Sequence, residues 1–332
     1  MGLFSLPFGI VRTIIAVVKK FVLKGKQPLR IDLPFPFIPL DIVFVSDVEQ
    51  IRAIQHAPDV ADHLHRVDTK LLPKWTQLYF GATHFHNGPR DKWFLAFEST
   101  ATCPAYAERK AMHEKWLAPE FTDDDVKNVA DLLRANADED AVADAVAQII
   151  IGRGLLKKQI PSTVIKTARN FLRPQLTDVL KPGHYSRSKE AQEKVYEWCA
   201  ANAPEGVVPI DMVHSFGSVT GKFATAIMKL KAASLDDPVE HLFTRAANCP
   251  TPTTPRVFLQ KTTFQGMLAY PANPMKTVFL INNAKAAEAS GSLFFTLGGG
   301  EAGNRVCSFK NYFVHFMQAL QQELKSGPKL SK

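Results

Sequence analysis

Cysteine is scarce in this chain. The four present (Cys103, Cys199, Cys249 and Cys307) are widely spaced in 332 residues and form no CxxC pair. That argues against a disulfide framework or a Cys-rich structural zinc site, and fits a reducing compartment. Long apolar runs are also missing. Within the apolar N-terminus the uncharged stretch runs only from Thr13 to Val18, far short of the ~20 residues a membrane span needs. Basic residues follow that stretch and no A-x-A site appears, which argues against a secretory signal. The start MGLFSL has no Ser or Thr at position 6, so myristoylation is unsupported. Internal repeats and low-complexity blocks are absent. The net charge of +8 comes without any RRM, zinc-finger or helix-turn-helix signature, so nucleic acid is discounted and an anionic surface is the expected partner.

What is present is ample core material, 46% hydrophobic residues with 23 Phe, and no linker that would separate independent domains. We read residues 1–26 as an amphipathic membrane-associating helix and 27–332 as one domain. In the first part Phe8, Ile15, Val18 and Val22 recur at helical spacing between Arg12, Lys19, Lys20, Lys24 and Lys26, as in a helix lying in the membrane interface. Pro28, Pro34, Pro36 and Pro39 then impose an extended hinge. Asp41–Val45 reads as a strand, followed by a helix from Asp47 to Gln55 with Asp47 as N-cap and Gln50 as its capping-box partner. His63/His65 and His84/His86 alternate as metal ligands on a strand face could, but no supporting third ligand accompanies them and packing or surface roles are favoured.

Further on, a helix ends at Leu117-Ala118-Pro119, and Thr122 caps the next one ahead of Asp123, Asp124 and Asp125. Helical patterns follow over 126–137, 140–156 and 162–176, then a polar segment from Lys181 to Lys194, then a helix through Tyr196 and Trp198. Residues 209–230 form the next helical pattern.

The stretch Phe295–Val314, FTLGGGEAGNRVCSFKNYFV, carries the most chemistry. Gly298, Gly299, Gly300 and Gly303 let backbone approach a flat ligand closely. Cys307 stands at the mouth of an amphipathic helix with Arg305 beside it, conditions that favour a thiolate. A thiolate there is a soft metal ligand, and ligation of haem iron is one defined use. A buried structural cysteine is the alternative reading of the same residues.

This loop resembles the cysteine-ligand loop of cytochromes P-450: Phe295 and Gly298 match its first part, Arg305 and Cys307 its second. The interval from Gly298 to Cys307 is longer than usual in that family. Such an insertion, with Asn304, Cys307, Lys310, Asn311, Tyr312 and Phe313-Val314, is similar to the allene oxide synthase and hydroperoxide lyase branch. Other stretches match in the family's order. Lys115, Leu117, Pro119 and Phe121 match the helix that supplies cations to haem propionates, although Glu114 replaces its first basic residue. Arg109, Lys110 and His113 stand nearby as substitutes. Gly217 and Thr220 keep the spacing of the central-helix motif, whose acid is lacking, while His214-Ser215-Phe216-Gly217 is similar to the branch's N-S-F-G run. Glu240 and Arg245 lie where an E-x-x-R ion pair is expected, at altered spacing, and Arg256 matches the downstream propionate arginine.

The resemblance implies a mainly α protein with small β-sheets, a truncated cytochrome P-450-like haem-thiolate fold, with haem b as cofactor. It implies Cys307 as the iron ligand and Arg305, Arg256, Lys110, Arg109 and Phe295 as cofactor-binding residues. His214 would position the distal oxygen, and Thr220 is the alternative distal residue. The missing acid and the abbreviated redox-docking region favour O–O cleavage or rearrangement of an oxygenated lipid or fatty-acid hydroperoxide, without an external reductase. The expected substrate is hydrophobic, and the expected location is intracellular, at the cytoplasmic face of a membrane. The alternatives are an electron-dependent monooxygenase served by a redox partner and a non-catalytic haem or lipid carrier.

Overall fold

A computed structural model of the chain describes residues 29–32, 40–57, 60–62, 104–116, 120–172, 184–232, 235–249, 253–258, 261–264, 267–269, 276–293 and 307–327. The N-terminal helix proposed for residues 1–26, the four paired histidines, Phe295 and Arg305 lie outside them. The fold is mainly helical with two small sheets. Strands β1 (Leu29–Asp32), β2 (Leu40–Val45), β3 (Val60–Asp62), β4 (Thr253–Phe258) and β7 (Lys276–Asn282) form one sheet, in the order β1-β2-β7-β4-β3. Only β2 and β7 run parallel; the other pairs are antiparallel. Strands β5 (Thr262–Phe264) and β6 (Met267–Ala269) make a separate hairpin pair.

Alternation decides which face of the large sheet is covered. Val43, Val45, Phe279 and Ile281 are fully buried, and side chains two apart on a strand share a face. Helices α1 (Val48–His56) and α10 (Asn283–Ser290) join them in one apolar cluster through Ile51, Ile54, Ala286 and Ala287. Pro255 sits within β4, yet β3 pairs only with Arg256–Phe258. Pro255 stands opposite Leu280 of β7, one residue beyond the described pairing with β3. Asp47 caps α1 as expected, accepting from the Gln50 N–H at 3.0 Å. The reciprocal half of the expected box is not formed, because Gln50 Oε1 is buried without a hydrogen-bond partner.

The second core is helical. It is built by α3 (Asp123–Arg134), α4 (Glu139–Ala147) with its π-helical continuation Gln148–Leu156, α5 (Ser162–Leu172), α6 (His184–Asn202) and the central helix, with α9 (Val239–Thr244) and α11 (Lys310–Ser326) against them. The central helix consists of α7 (Pro209–Gly217), a π-helical segment Ser218–Phe223, and α8 (Ala224–Ala232). Helix α2 (Pro104–Trp116) precedes α3. The polar segment expected over Lys181–Lys194 is helical from His184 onward. Its Glu190 and Lys194 face each other one turn apart at 2.7 Å, the pairing that supports exposed helix.

Thr122 and Asp125 start α3 with a complete capping box: the Thr122 hydroxyl accepts from the Asp125 N–H, and the Thr122 N–H donates to Asp125 Oδ2 at 2.7 Å. Asp125 also receives the guanidinium of Arg153, with Nη1 donating to Oδ1 at 2.6 Å. Burial pushes the Asp125 carboxyl upward, but Arg153 and the two Thr122 donors outweigh it and hold the group below its ordinary value of 3.8. A carboxylate depressed by folding stabilises the protein above its unfolded value, and that stability is lost as pH falls through the folded value. Asp125→Asn should thus cost about 1–3 kcal/mol at pH 7, and the deficit relative to the parent should close below about pH 4. Urea midpoints at pH 7, 5 and 3 test this; a deficit that persists unchanged at pH 3 contradicts it. At the other end of α3, Arg134 donates to the Glu323 carbonyl at 2.7 Å and to its carboxylate, fixing the last turn of α11. No described helix is long and apolar enough to cross a membrane.

Candidate haem-thiolate site

Cys307 precedes α11 by one turn. The Lys310 N–H donates to its carbonyl at 3.1 Å, and the Phe309 N–H is directed at the sulfur. The residue is closely surrounded by protein yet keeps some accessible surface. The other described cysteines, Cys199 and Cys249, are buried. The thiolate-favouring environment expected from the sequence is only partly realised. Burial raises the Cys307 thiol, and this outweighs the lowering by Phe309, Lys222 and Lys110, while Glu114 adds to the rise. Burial is therefore the dominant influence on the thiol, and the cations act against it.

Those cations arrive from two elements. Lys110 comes from α2, only 7% exposed, with Nζ 3.3 Å from Glu114 Oε1. The glutamate at the position where the family carries a base thus pairs with the lysine one turn before it. Lys222 comes from the π-helical segment of the central helix, and its neighbour Phe223 meets Phe309 edge-on at 5.2 Å. The sequence reading did not single out Lys222. Its signal is spacing, since His214, Ser218 and Lys222 follow one another at one-turn intervals. Arg109 belongs to α2, Arg256 to β4, where it is buried, only 3% exposed, and stands opposite Phe279 and Asp62 in the ladder.

The two distal candidates are not brought together. Thr220 is fully buried and its hydroxyl donates to the Phe216 carbonyl at 2.7 Å. His214 lies on the partly exposed side of the same helix, with Nε2 3.3 Å from Ser218 Oγ. Residues six apart on a helix diverge by about 120°, so one sequence window held two different faces. Ser215 also bonds back, to the Asp211 carbonyl at 2.9 Å. Hydroxyls that take carbonyls from the helical ladder bend helices, and the widened turn at Ser218–Phe223 lies among them.

The E-x-x-R pair is reassigned. Arg245 bonds Asp237 at 2.7 Å, whereas Glu240 accepts from Gln318 Nε2 of α11 at 3.0 Å. Among the described residues no group of three or more His, Cys, Asp or Glu is arranged to hold a metal ion. A cleft of about 1110 Å³ opens elsewhere, between α3, α4 and α5, lined by Asp125, Asp140, Gln148, Lys157, Lys166 and Arg169 among others. None of the sequence-predicted site residues among the described ones lines it. The chemistry of the set at Cys307, one soft sulfur under the influence of two lysine charges, fits a metal macrocycle bearing carboxylates.

No protein-family model matches the sequence, and no curated protein matches it. Solved structures do. P450BioI in complex with hexadec-9Z-enoic acid ligated acyl carrier protein superposes with a TM-score of 0.59 at 11% identity, over 93% of this chain and 92% of that one. Cytochrome P450 CREJ in complex with (4-ethylphenyl) dihydrogen phosphate gives 0.55 at 12% identity, over 91% and 87%. The haem domain of Acinetobacter radioresistens CYP116B5 gives 0.53 at 15% identity, over 93% and 86%. These likenesses do not single out the hydroperoxide-metabolising branch. They extend over nearly the whole chain, and the protein has the cytochrome P450 fold.

Proposed function

We propose that the protein is a haem-thiolate enzyme that cleaves or rearranges the O–O bond of an oxygenated lipid, such as a fatty-acid hydroperoxide, without an external reductase. The observation that carries this reading is Cys307, a partly exposed cysteine one turn before α11, with the positive charges of Lys110 and Lys222 acting on its thiol. Bound haem b would supply the O–O cleaving chemistry, and Cys307 would hold its iron through the sulfur. Lys110 would hold a propionate, and Arg256, Arg109 and Arg305 are the further cations assigned to that task. Phe295 would pack against the macrocycle.

The distal side decides between the enzyme readings. Reductive activation of dioxygen calls for a proton path built on an acid and an alcohol, and here the Thr220 hydroxyl is committed to Phe216 on a fully buried face. His214 on the other face, with Nε2 3.3 Å from Ser218 Oγ, would bind and orient a substrate oxygen. A lipid substrate agrees with the fold relative that is bound to a hexadecenoyl carrier protein, and an interfacial helix over residues 1–26 would bring the site to such a pool.

The test is an absorption spectrum of the reduced protein under carbon monoxide, followed by turnover of lipid hydroperoxides with no reductase added. A thiolate-type Soret band with hydroperoxide loss supports the proposal. The band with turnover only when electrons are supplied would favour the monooxygenase. Absence of the band after haem reconstitution overturns the haem-thiolate assignment.

A further inference from the structure

We propose that the cleft between α3, α4 and α5 is a second ligand site, for a single-chain amphiphile held by its anionic head group. None of the described residues assigned to the Cys307 site lines this cleft, so the proposal stands apart from haem.

The space follows from side-chain size. Helix α4 packs against both α3 and α5, and residues of all three line the cleft. Ala141 and Ala145, one turn apart on α4, and Ile149 one turn further form its floor. Alanine ends at Cβ, so the floor does not fill the gap between Leu132 of α3 and Ile165 of α5. From Ala141 to Ile149 the floor runs about 12 Å. A volume of about 1110 Å³ reaches the upper end of small-molecule pockets, roughly 300–1,000 Å³. An apolar floor of that length suits an alkyl chain.

The charges along the cleft are unevenly matched. Arg153 is paired with Asp125, and Arg169 with Glu139 and Asp140. Asp138 is the N-cap of α4 and accepts from the Ala141 N–H at 2.9 Å. Lys158 donates to the neutral amide side chain of Asn202 and keeps its charge. Lys157 and Lys166 have no ion pair or hydrogen bond with the described residues. Three ammonium groups therefore stand against one remaining acid, Asp144.

The helix register gathers those ammonium groups toward one end. Gln148 Nε2 donates to the Ile160 carbonyl at 2.7 Å, and the Ile160 N–H donates to Gln148 Oε1 at 2.9 Å. The start of α5 is thus tied beside the end of α4, while Arg169 meets Asp140 beside its beginning. The two helices run antiparallel. Lys157, Lys158 and the Ser162 hydroxyl share the Gln148 end, with Lys166 one turn into α5. An oxyanion there accepts charge-assisted hydrogen bonds, and its chain lies along Ala145 and Ala141.

The full chain should be photo-crosslinked with a diazirine-bearing dodecanoate and the label mapped by peptide mass spectrometry. Label is expected within residues 138–169, and competition by monomeric dodecanoate gives the affinity of that site. Lys166→Gln and Lys157→Asn remove charges at exposed positions; asparagine tolerates the φ of 54° at Lys157. Each should weaken competition about fivefold and the double variant about twentyfold, with the parent's melting temperature retained. Ala145→Phe should block labelling by filling the floor. The same results are expected whether or not the chain binds haem. Label confined to other segments, or equal affinity of the parent and the double lysine variant, overturns the proposal. Competition by dodecyltrimethylammonium as strong as by dodecanoate overturns the choice of head group. Binding to phosphatidylglycerol vesicles without binding of the monomer assigns the lysines to a bilayer surface and overturns the proposal as well.

Discussion

Cys307→Ala should abolish the thiolate-type absorption of the reduced carbonyl complex and, with it, turnover of lipid hydroperoxide. The expected loss is complete because the described residues offer no second sulfur in a comparable place. Cys199 is fully buried with its thiol pushed far upward by desolvation, and Cys249 is 2% exposed. Alanine at either of those positions should leave the spectrum as it is. The fold should survive the Cys307 change, since a partly accessible sulfur contributes little packing, about 1 kcal/mol or less. Loss of the band together with an unchanged melting curve would therefore identify a ligand and not a core residue. A band that persists in Cys307→Ala assigns the iron to another group and removes the basis of the proposal.

The largest stability effect is expected at Phe223. Its ring meets Phe309 at 5.2 Å, Phe316 at 5.4 Å, Phe313 at 5.7 Å and Tyr312 at 6.3 Å, and it is 3% exposed. One side chain thus fastens the central helix to α11 and to the turn that carries Cys307. Truncating a buried phenylalanine costs about 3–5 kcal/mol, and each edge-to-face pair adds about 0.5–1.5 kcal/mol beyond area. Phe223→Ala should fall at or above the upper end of the truncation range, measured by urea unfolding, with Phe223→Leu clearly milder. A cost near 1 kcal/mol would show that the cluster repacks around the gap. Because the same ring braces Cys307, haem affinity should weaken in Phe223→Ala even where the variant remains folded.

Local chemistry was legible in the sequence where one segment contains both partners. Thr122 and the acids after it announced the start of α3, and the Thr122–Asp125 box forms. The length of the central helix and the place of Cys307 before α11 were readable in the same way, from period and punctuation. What stayed hidden depends on partners brought by other elements. Arg245 meets Asp237 and Glu240 meets Gln318, which lies on α11, so the spacing of Glu240 and Arg245 could not show where either charge goes. Burial was equally out of reach: it turns the expected low thiol value at Cys307 into a raised one. His214 and Thr220 looked like members of one motif because a motif is linear, whereas a helix distributes it around its circumference. Ser218 and Lys222 were visible as helical repeats of His214 but carry no motif of their own. The start of α6 was missed because its first turns are polar, which period alone reads as loop.

The parallel pairing of β2 with β7 has a consequence for synthesis. Residues 40–45 leave the ribosome early, but the strand they lie beside, 276–282, comes from near the other end of the chain. At about 5–20 residues per second, the earlier strand waits on the order of ten seconds or more with one of its edges open. The helices from α3 to α9 can collapse during that interval, whereas the sheet waits for β7 and the helical core for α11, which follows it. An unpaired Leu-Asp-Ile-Val-Phe-Val edge is a ready template for intermolecular pairing in the meantime. Yield of the nascent protein should accordingly depend on chaperones that shield extended apolar segments, and far less on those that act on released chains.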